Sequence, residues 1–134
     1  MNDRVDATEK QSGAQWKPRA RKPELIKVTE RIFCAADYAI SNVGFVITKN
    51  SVVVVDTTES PKVAQRVFDE LRKICQLPVS HIIYTHFHDD HVRGASVFHE
   101  PSTKIIAQLR MQESRHVRKN RPLPAFAPAT TFKT

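Results

Sequence analysis

A strand–helix–strand pattern over residues 51–85 constrains the fold of this chain more than any other feature of its sequence. The run Ser51–Asp56 holds four consecutive valines, and Val79–Thr85 is a second apolar run with β-branched residues. Between them, apolar residues recur every three to four positions from Val63 to Cys75, which predicts one amphipathic helix. Strands joined through a helix usually pair in parallel, so the sequence predicts a layered α/β fold.

Residues on both sides extend this pattern. Ser60 can cap the helix, Pro61 suits its first position, and Pro78 follows its end. Short apolar runs predict further strands, at Leu25–Val28, Ile32–Ala35, Val43–Thr48 and Lys104–Ala107. Residues 43–56 are interpreted as a hairpin, and residues 86–94 as a loop. Because the valine run lacks polar alternation, we expect both of its faces to be covered.

Polar segments flank the predicted domain. Residues 1–24 lack apolar periodicity and are interpreted as a basic tail or arm, so that the domain covers residues 25–134. Residues 108–119 predict a polar helix. The formal charge of +7 comes from the two ends, because residues 25–107 carry no net charge. The basic cluster between Arg110 and Arg121 suits either a solvated helix face or a nucleic-acid surface.

Composition and apolar patterning bear on three properties of the protein: membrane insertion, export and disulfide bonding. No apolar run approaches the roughly 20 residues of a membrane-spanning helix. The N-terminal residues lack the apolar core of a signal peptide, which favours a cytoplasmic location. The two cysteines, Cys34 and Cys75, form no disulfide framework and are interpreted as small hydrophobic side chains.

Three histidines and two aspartates follow the predicted strand Val79–Thr85 within six residues: His86, His88, Asp89, Asp90 and His91. Imidazole and carboxylate groups suit zinc or another first-row metal. Residues 86 and 88 can address one metal ion, whereas residues 90 and 91, which turn back as at a helix start, can address a second. Because neither cysteine is near, a catalytic site is favoured over a structural one. The alternative is a polar loop whose histidines only form hydrogen bonds.

The pattern His86-x-His88-x-Asp90-His91, preceded by Thr85 and followed by Gly94, resembles the signature of the metallo-β-lactamase superfamily of metallohydrolases. The resemblance covers about residues 25–110 and implies an αββα sandwich, of which this chain would be the N-terminal half. It implies that His86 and His88 bind one zinc ion, and that Asp90 and His91 bind a second. Asp90 would also orient the attacking water and so be the catalytic residue. Asp56 would support the site from beneath, and a turn or helix-capping role for Asp56 fits equally well.

The same resemblance implies that the remaining ligands lie beyond Thr134, because the second half of such a sandwich supplies them. The chain would then be truncated, or would complete the sandwich by self-association through an exposed half-sheet. His81, His99 and His116 are interpreted as surface residues rather than as substitute ligands.

Segments around the signature resemble the alkylsulfatase branch of the superfamily, at residues 36–42, 55–61, 77–86, 94–98 and 123–126. This implies a zinc-dependent hydrolase with two zinc ions per complete site, acting on a small-molecule ester, with an alkyl sulfate ester as the leading substrate. The alternatives are an inactive metal-binding remnant or interaction module, or another hydrolase: a thioesterase, a lactamase or a nuclease. Because the uncharged segment contains the signature, a nucleic-acid partner is disfavoured.

Overall fold

Six strands, ordered as in the sequence, form one mixed sheet in the computed structural model, which describes residues 21–111. The strands are β1 (Glu24–Lys27), β2 (Ile32–Ala36), β3 (Val43–Ile47), β4 (Val52–Val55), β5 (Val79–Ile83) and β6 (Lys104–Ile106). The helices are α1 (Pro61–Ile74), α2 (Asp89–Val92) and α3 (Ala95–Phe98). Strands β1 to β4 are antiparallel neighbours, whereas β4, β5 and β6 are parallel. The predicted hairpin and the predicted parallel crossover through α1 are both confirmed.

Helix α1 begins and ends close to the positions that its sequence signals. The Ser60 hydroxyl accepts a hydrogen bond from the Val63 amide at 3.4 Å, which satisfies one free donor of the first turn. Pro61 then opens the helix, where no backbone N–H is required. The helix buries Ala64, Val67 and Leu71, the centre of its predicted apolar stripe.

The two faces of the sheet differ in how well they are buried. Phe45, Val54, Ile82 and Ile105 occupy paired positions on one face and are all buried. Helices α1 and α3 pack on this face, where the Phe98 ring lies 6.1 Å from the Phe45 ring and 5.3 Å from the Phe68 ring.

The opposite face carries a second set of apolar side chains. Ile26 and Ile32 are exposed there, and Val53 and Val55 are only half-buried. Alternate residues of the valine run therefore differ in burial, and the expectation that both faces would be covered is not met within the described residues. The valine run lacks polar residues because the side chains on both of its faces are apolar. In the described residues, only one of these faces is well buried.

Arg72 links the end of α1 to the loop before β6. Its guanidinium donates to the backbone oxygens of Cys75 at 3.2 Å and Leu77 at 2.6 Å, and lies 4.4 Å from the centre of the Phe68 ring. It also pairs with Glu100 at 3.2 Å, and the same carboxylate oxygen accepts from the Val79 amide. These contacts join the start of β5 to the segment after α3.

The remaining predictions concern the loop after β5, the two ends of the chain, the cysteines and membrane-spanning helices. The predicted loop at residues 86–94 contains the one-turn helix α2, and α3 follows it without having been predicted. The predicted helix at residues 108–119 and the tail at residues 1–24 fall largely outside the described residues. Cys34 and Cys75 are free thiols, half-buried and buried respectively. Within residues 21–111, every helix is too short or too polar to cross a membrane.

Candidate functional site

The candidate site lies at the edge of the sheet where the parallel strands β4 and β5 end. Val55 and Ile83 are paired neighbours, so the residues that follow them leave the sheet side by side. Asp56 follows β4 directly, and the cluster from His86 to His91 follows β5. Reactive groups in layered α/β folds converge at this edge of the sheet.

The β4–α1 loop holds its first residues in an unusual backbone conformation. Asp56 has a φ of 62° and Thr58 a φ of 71°, values that are rare for residues other than glycine and most costly for a β-branched side chain. Such strain costs about 1–3 kcal/mol per residue and persists only where the surroundings impose it.

Hydrogen bonds between this strained loop and α2, together with the two residues after α2, hold the loop in place. The Thr57 amide donates to the His91 oxygen at 2.7 Å, and the Thr57 hydroxyl donates to the same oxygen at 3.0 Å. The amides of Arg93 and Gly94 donate to the Thr58 oxygen at 3.1 and 3.2 Å. The loop after β4 and the helix that carries His91 therefore form one unit.

Gly94 lets the two segments approach closely. A Cβ atom at this position would lie 1.9 Å from the Thr57 oxygen and 2.6 Å from the Ala64 Cβ. Its φ is −85°, a value open to any residue, so the requirement for glycine is one of space.

Asp56 is the buried acceptor at the centre of the site. Its Oδ1 accepts from the Thr85 amide at 2.9 Å, and its Oδ2 accepts from the Thr85 hydroxyl at 2.7 Å. The same Oδ2 lies 2.8 Å from Nδ1 of His91. A buried carboxylate with three such partners orients the groups around it.

The predicted metal ligands lie together as two pairs. His86 Nε2 is 3.0 Å from His88 Nδ1, and His91 Nε2 is 3.3 Å from Asp90 Oδ2. The centres of the His86 and His91 rings are 4.0 Å apart, so the two pairs adjoin each other.

The chemistry of these donors fits zinc. Two ligand atoms bound to one tetrahedral zinc ion at about 2.0–2.1 Å lie about 3.3 Å apart, close to both observed separations. When His91 carries its proton on Nδ1, facing Asp56, its Nε2 presents a lone pair to the Asp90 carboxylate. Two such acceptors face each other stably only with a cation, a proton or a metal ion, between them. Within residues 21–111, no group of three or more histidine, cysteine, aspartate or glutamate side chains is arranged around one point. Each pair therefore offers two ligands.

The β2–β3 loop reaches the cluster from the other side. The Ser41 hydroxyl donates to the backbone oxygen of Asp90. Ile40, its neighbour in the loop, is 84% exposed.

Tyr38 lies in the same loop. Burial raises the pKa of its phenol, and the Glu70 carboxylate raises it further, so the phenol stays protonated near neutral pH.

The structure thus brings together His86, His88, Asp90, His91 and Asp56, the residues that the sequence analysis singled out. Their assignment as metal ligands and support stays a prediction. Asp89 points to Arg93, 3.8 Å away, and His81 contacts Ser80. His99 ends α3, and its buried Nε2 has no hydrogen-bond partner in the described part of the chain.

Three hydroxyl contacts were missed by the sequence analysis: those of Ser41, Thr57 and Thr85. Ser41 lies 49 residues from Asp90, and Thr57 lies 34 residues from His91. No spacing rule in a single sequence relates residues so far apart. Of these three residues, only Thr85 could be linked to the site from the sequence, because it directly precedes His86 in the motif.

One protein family and several known proteins are similar in sequence to this chain. Residues 37–107 match the profile of the Metallo-beta-lactamase superfamily. A linear primary-alkylsulfatase of Pseudomonas sp. is 46% identical over 46 residues, which are 34% of this chain and 9% of that protein. The alkyl/aryl-sulfatase BDS1 of Saccharomyces cerevisiae is 31% identical over 97 residues, which are 67% of this chain and 15% of that protein. This chain therefore spans less than a sixth of the length of either relative.

Solved structures show the same fold at low sequence identity. The stereoselective inverting sec-alkylsulfatase Pisa1 from Pseudomonas sp. matches with a TM-score of 0.64 and 19% identity, over 68% of this chain and 16% of that one. A metallo-β-lactamase from Hirschia baltica matches with a TM-score of 0.61 and 17% identity, over 83% of this chain and 52% of that one. The described residues thus form part of this α/β fold.

Proposed function

Because this chain belongs to the metallo-β-lactamase superfamily, we propose that its histidine–aspartate cluster is the zinc-binding part of a hydrolase active site. The observation that carries this proposal is the pairing of ligand atoms, His86 Nε2 with His88 Nδ1 and His91 Nε2 with Asp90 Oδ2. His86 and His88 would hold one zinc ion, and Asp90 and His91 a second. When bound, zinc lowers the pKa of a water molecule toward about 7 and polarises the bond to be cleaved.

The side chains around these pairs have separate tasks. Asp56 holds the proton on Nδ1 of His91 and thereby leaves the other ring nitrogen available as a ligand. Asp90 directs Oδ2 to His91, so its other oxygen is left to accept a hydrogen bond from the attacking water. This division makes Asp90 the catalytic residue of the proposal and Asp56 its positioning residue.

An alkyl sulfate ester is the proposed substrate. The support is the similarity to a linear primary-alkylsulfatase and to an alkyl/aryl-sulfatase. A further argument comes from Ile40, an exposed apolar side chain on a loop that Ser41 ties to Asp90. An exposed apolar side chain on a loop bonded to the polar cluster suits a substrate with a hydrocarbon chain and a charged head.

Native mass spectrometry with added zinc tests the metal part of this proposal. We expect the 134-residue chain to take up zinc, and the double variant His86→Ala/His88→Ala to lose at least one ion. His81→Ala is the matched control, since His81 contacts Ser80 and not the cluster. Equal zinc uptake by the double variant and the wild-type chain would contradict the proposal.

Release of inorganic sulfate from octyl sulfate tests the substrate. We expect zinc-dependent release that Asp90→Asn abolishes and Asp89→Asn retains, because Asp90 Oδ2 faces the ligand atom His91 Nε2, whereas Asp89 pairs with Arg93. Zinc uptake without sulfate release would contradict the substrate while leaving the metal site in place.

The second candidate function is an inactive metal-binding remnant, which binds zinc but catalyses no reaction of its own. It is favoured by the finding that, within residues 21–111, no cluster of three ligands converges on one point. Two protein ligands per ion bind more weakly than three or four, and the ions would be open on one side. Zinc uptake combined with no hydrolysis of alkyl sulfates, thioesters, β-lactams or nucleic acid would support this candidate.

A further inference from the structure

The Thr85 hydroxyl lies between two groups of the candidate site. It is 2.7 Å from Asp56 Oδ2 on one side and 3.0 Å from His86 Nδ1 on the other. A hydroxyl has one proton to donate and lone pairs with which to accept. Its position between a carboxylate and an imidazole therefore determines the direction of both hydrogen bonds.

The direction follows from counting protons. The ionised Asp56 carboxylate can only accept, so the Thr85 proton is donated to Oδ2. Thr85 then has no proton left for His86, so its oxygen accepts from Nδ1–H of His86. A neutral His86 protonated on Nδ1 has a free lone pair on Nε2. That lone pair faces Nδ1 of His88, which must donate to it in the metal-free protein.

We propose that Thr85 is a positioning residue that relays the orienting effect of Asp56 to His86 and fixes its proton on Nδ1. This inference rests on the proposed function, since it assigns the Nε2 lone pair of His86 to a metal. One carboxylate oxygen of Asp56 then orders two histidines, His91 by direct contact and His86 through the Thr85 hydroxyl. Both rings are left with Nε2 as the ligand atom.

The relay has a consequence for metal binding. A ring that is free to exchange its proton between nitrogens presents a protonated, non-ligating Nε2 for part of the time. Thr85 removes this competing form before the metal arrives. Partners of this kind typically change metal affinity by about 10–100-fold.

Histidine ring ¹⁵N resonances of the metal-free 134-residue chain test the relay directly. A neutral imidazole ring has one protonated and one unprotonated nitrogen, and ring ¹⁵N shifts distinguish the two. We expect His86 to carry its proton on Nδ1 in the wild-type chain and in Thr85→Ser. In Thr85→Val, which removes the hydroxyl at nearly constant shape, we expect the proton to move partly or wholly to Nε2.

Two controls separate the relay from a general structural effect. His91 contacts Asp56 without Thr85, so its proton should stay on Nδ1 in Thr85→Val. Thr48→Val removes a hydroxyl from the β3–β4 turn, where Thr48 contacts Ser51, and should leave His86 unchanged. Thr85 has an exposed side chain, and valine retains the backbone N–H that Asp56 Oδ1 accepts, so the variant should fold.

Zinc titration with a competing chelator provides the second readout. We expect Thr85→Val to weaken zinc binding about 10-fold and Thr85→Ser to bind as the wild-type chain does. An Nδ1 proton on His86 that survives in Thr85→Val would overturn the relay, as would unchanged zinc affinity in that variant. A wild-type chain with the expected proton positions and no zinc uptake would instead support the relay and contradict the proposed function.

Discussion

Asp56 is the residue on which the candidate site depends most. It adopts a left-handed backbone conformation, is buried, and accepts from the backbone and hydroxyl of Thr85 and from His91. The carboxylate can satisfy three donors because it offers about four lone-pair positions and needs no proton of its own. An amide has the same shape but only one oxygen.

Asp56→Asn should therefore weaken both the fold and zinc binding. The oxygen of asparagine can replace one carboxylate oxygen, and its NH₂ group cannot accept from Thr85 or His91. We expect a loss of about 1–3 kcal/mol in the free energy of unfolding, measured by urea denaturation. We also expect zinc affinity to fall about 10–100-fold, measured by competition with a chelator.

Asp89→Asn is the control for this prediction. Asp89 is about half exposed and faces Arg93 at 3.8 Å, a pair whose contribution should be below about 1 kcal/mol. Equal effects of the two substitutions would contradict the central role of Asp56.

The decisive contact between elements is the docking of α2 and the following residues Arg93 and Gly94 against the β4–α1 loop. Backbone donors of Thr57, Arg93 and Gly94 cross this contact, and Gly94 leaves no room for a side chain. His91 thus reaches Asp56 only if two segments 34 to 36 residues apart meet at backbone hydrogen-bonding distance.

Gly94→Ala should separate these segments. The added Cβ would overlap the Thr57 oxygen at 1.9 Å, so the backbone must move. Forcing extra atoms into a packed site costs about 1–3 kcal/mol, and we expect that loss in urea denaturation. Zinc affinity should fall with it, since His91 moves together with α2.

Gly44→Ala provides the matched comparison. A Cβ at Gly44 would meet Val55 at 3.4 Å, an ordinary contact distance, and its backbone is a regular strand. We expect a change below about 1 kcal/mol in either direction. If Gly44→Ala were as costly as Gly94→Ala, close packing would not be the reason for glycine at position 94.

At the scale of the whole molecule, the sheet formed by residues 21–111 has one well-buried face and one apolar face that is partly open among these described residues. Phe45 and Val54 are buried beneath the helices, whereas Ile26 and Ile32 on the other face are about 40% exposed. Apolar surface of this kind promotes association in water.

We therefore expect the chain to self-associate, and Ile32→Lys to weaken that association about tenfold or more, because a charge would replace an apolar contact. Sedimentation velocity over a range of concentrations would measure the effect.

Ile74→Lys is the control, because Ile74 is 50% exposed but lies at the end of α1, away from the open face. Association weakened equally by both substitutions would place the contact elsewhere.

Much of the fold was predictable because its signals are local. The Ser60 cap, the apolar stripe of α1 and the β-branched strands each depend on residues within a few positions of one another. The helical turn at residues 90 and 91 was expected within a predicted loop, and α2 lies there. Helix α3 was not predicted, since four residues carry too little periodicity to distinguish a helical turn from a loop.

The sequence by itself determined the strand–helix–strand core and the ligand-type residues that follow β5, because spacing along the chain encodes both. Only the tertiary structure decided that Asp56 meets Thr85 and His91, and that Ser41 meets Asp90. These contacts join residues 29 to 49 positions apart and depend on strand register, a left-handed loop and the space left by Gly94. The sequence supplies the groups that can react, and only the packed sheet edge brings their atoms to hydrogen-bonding distance.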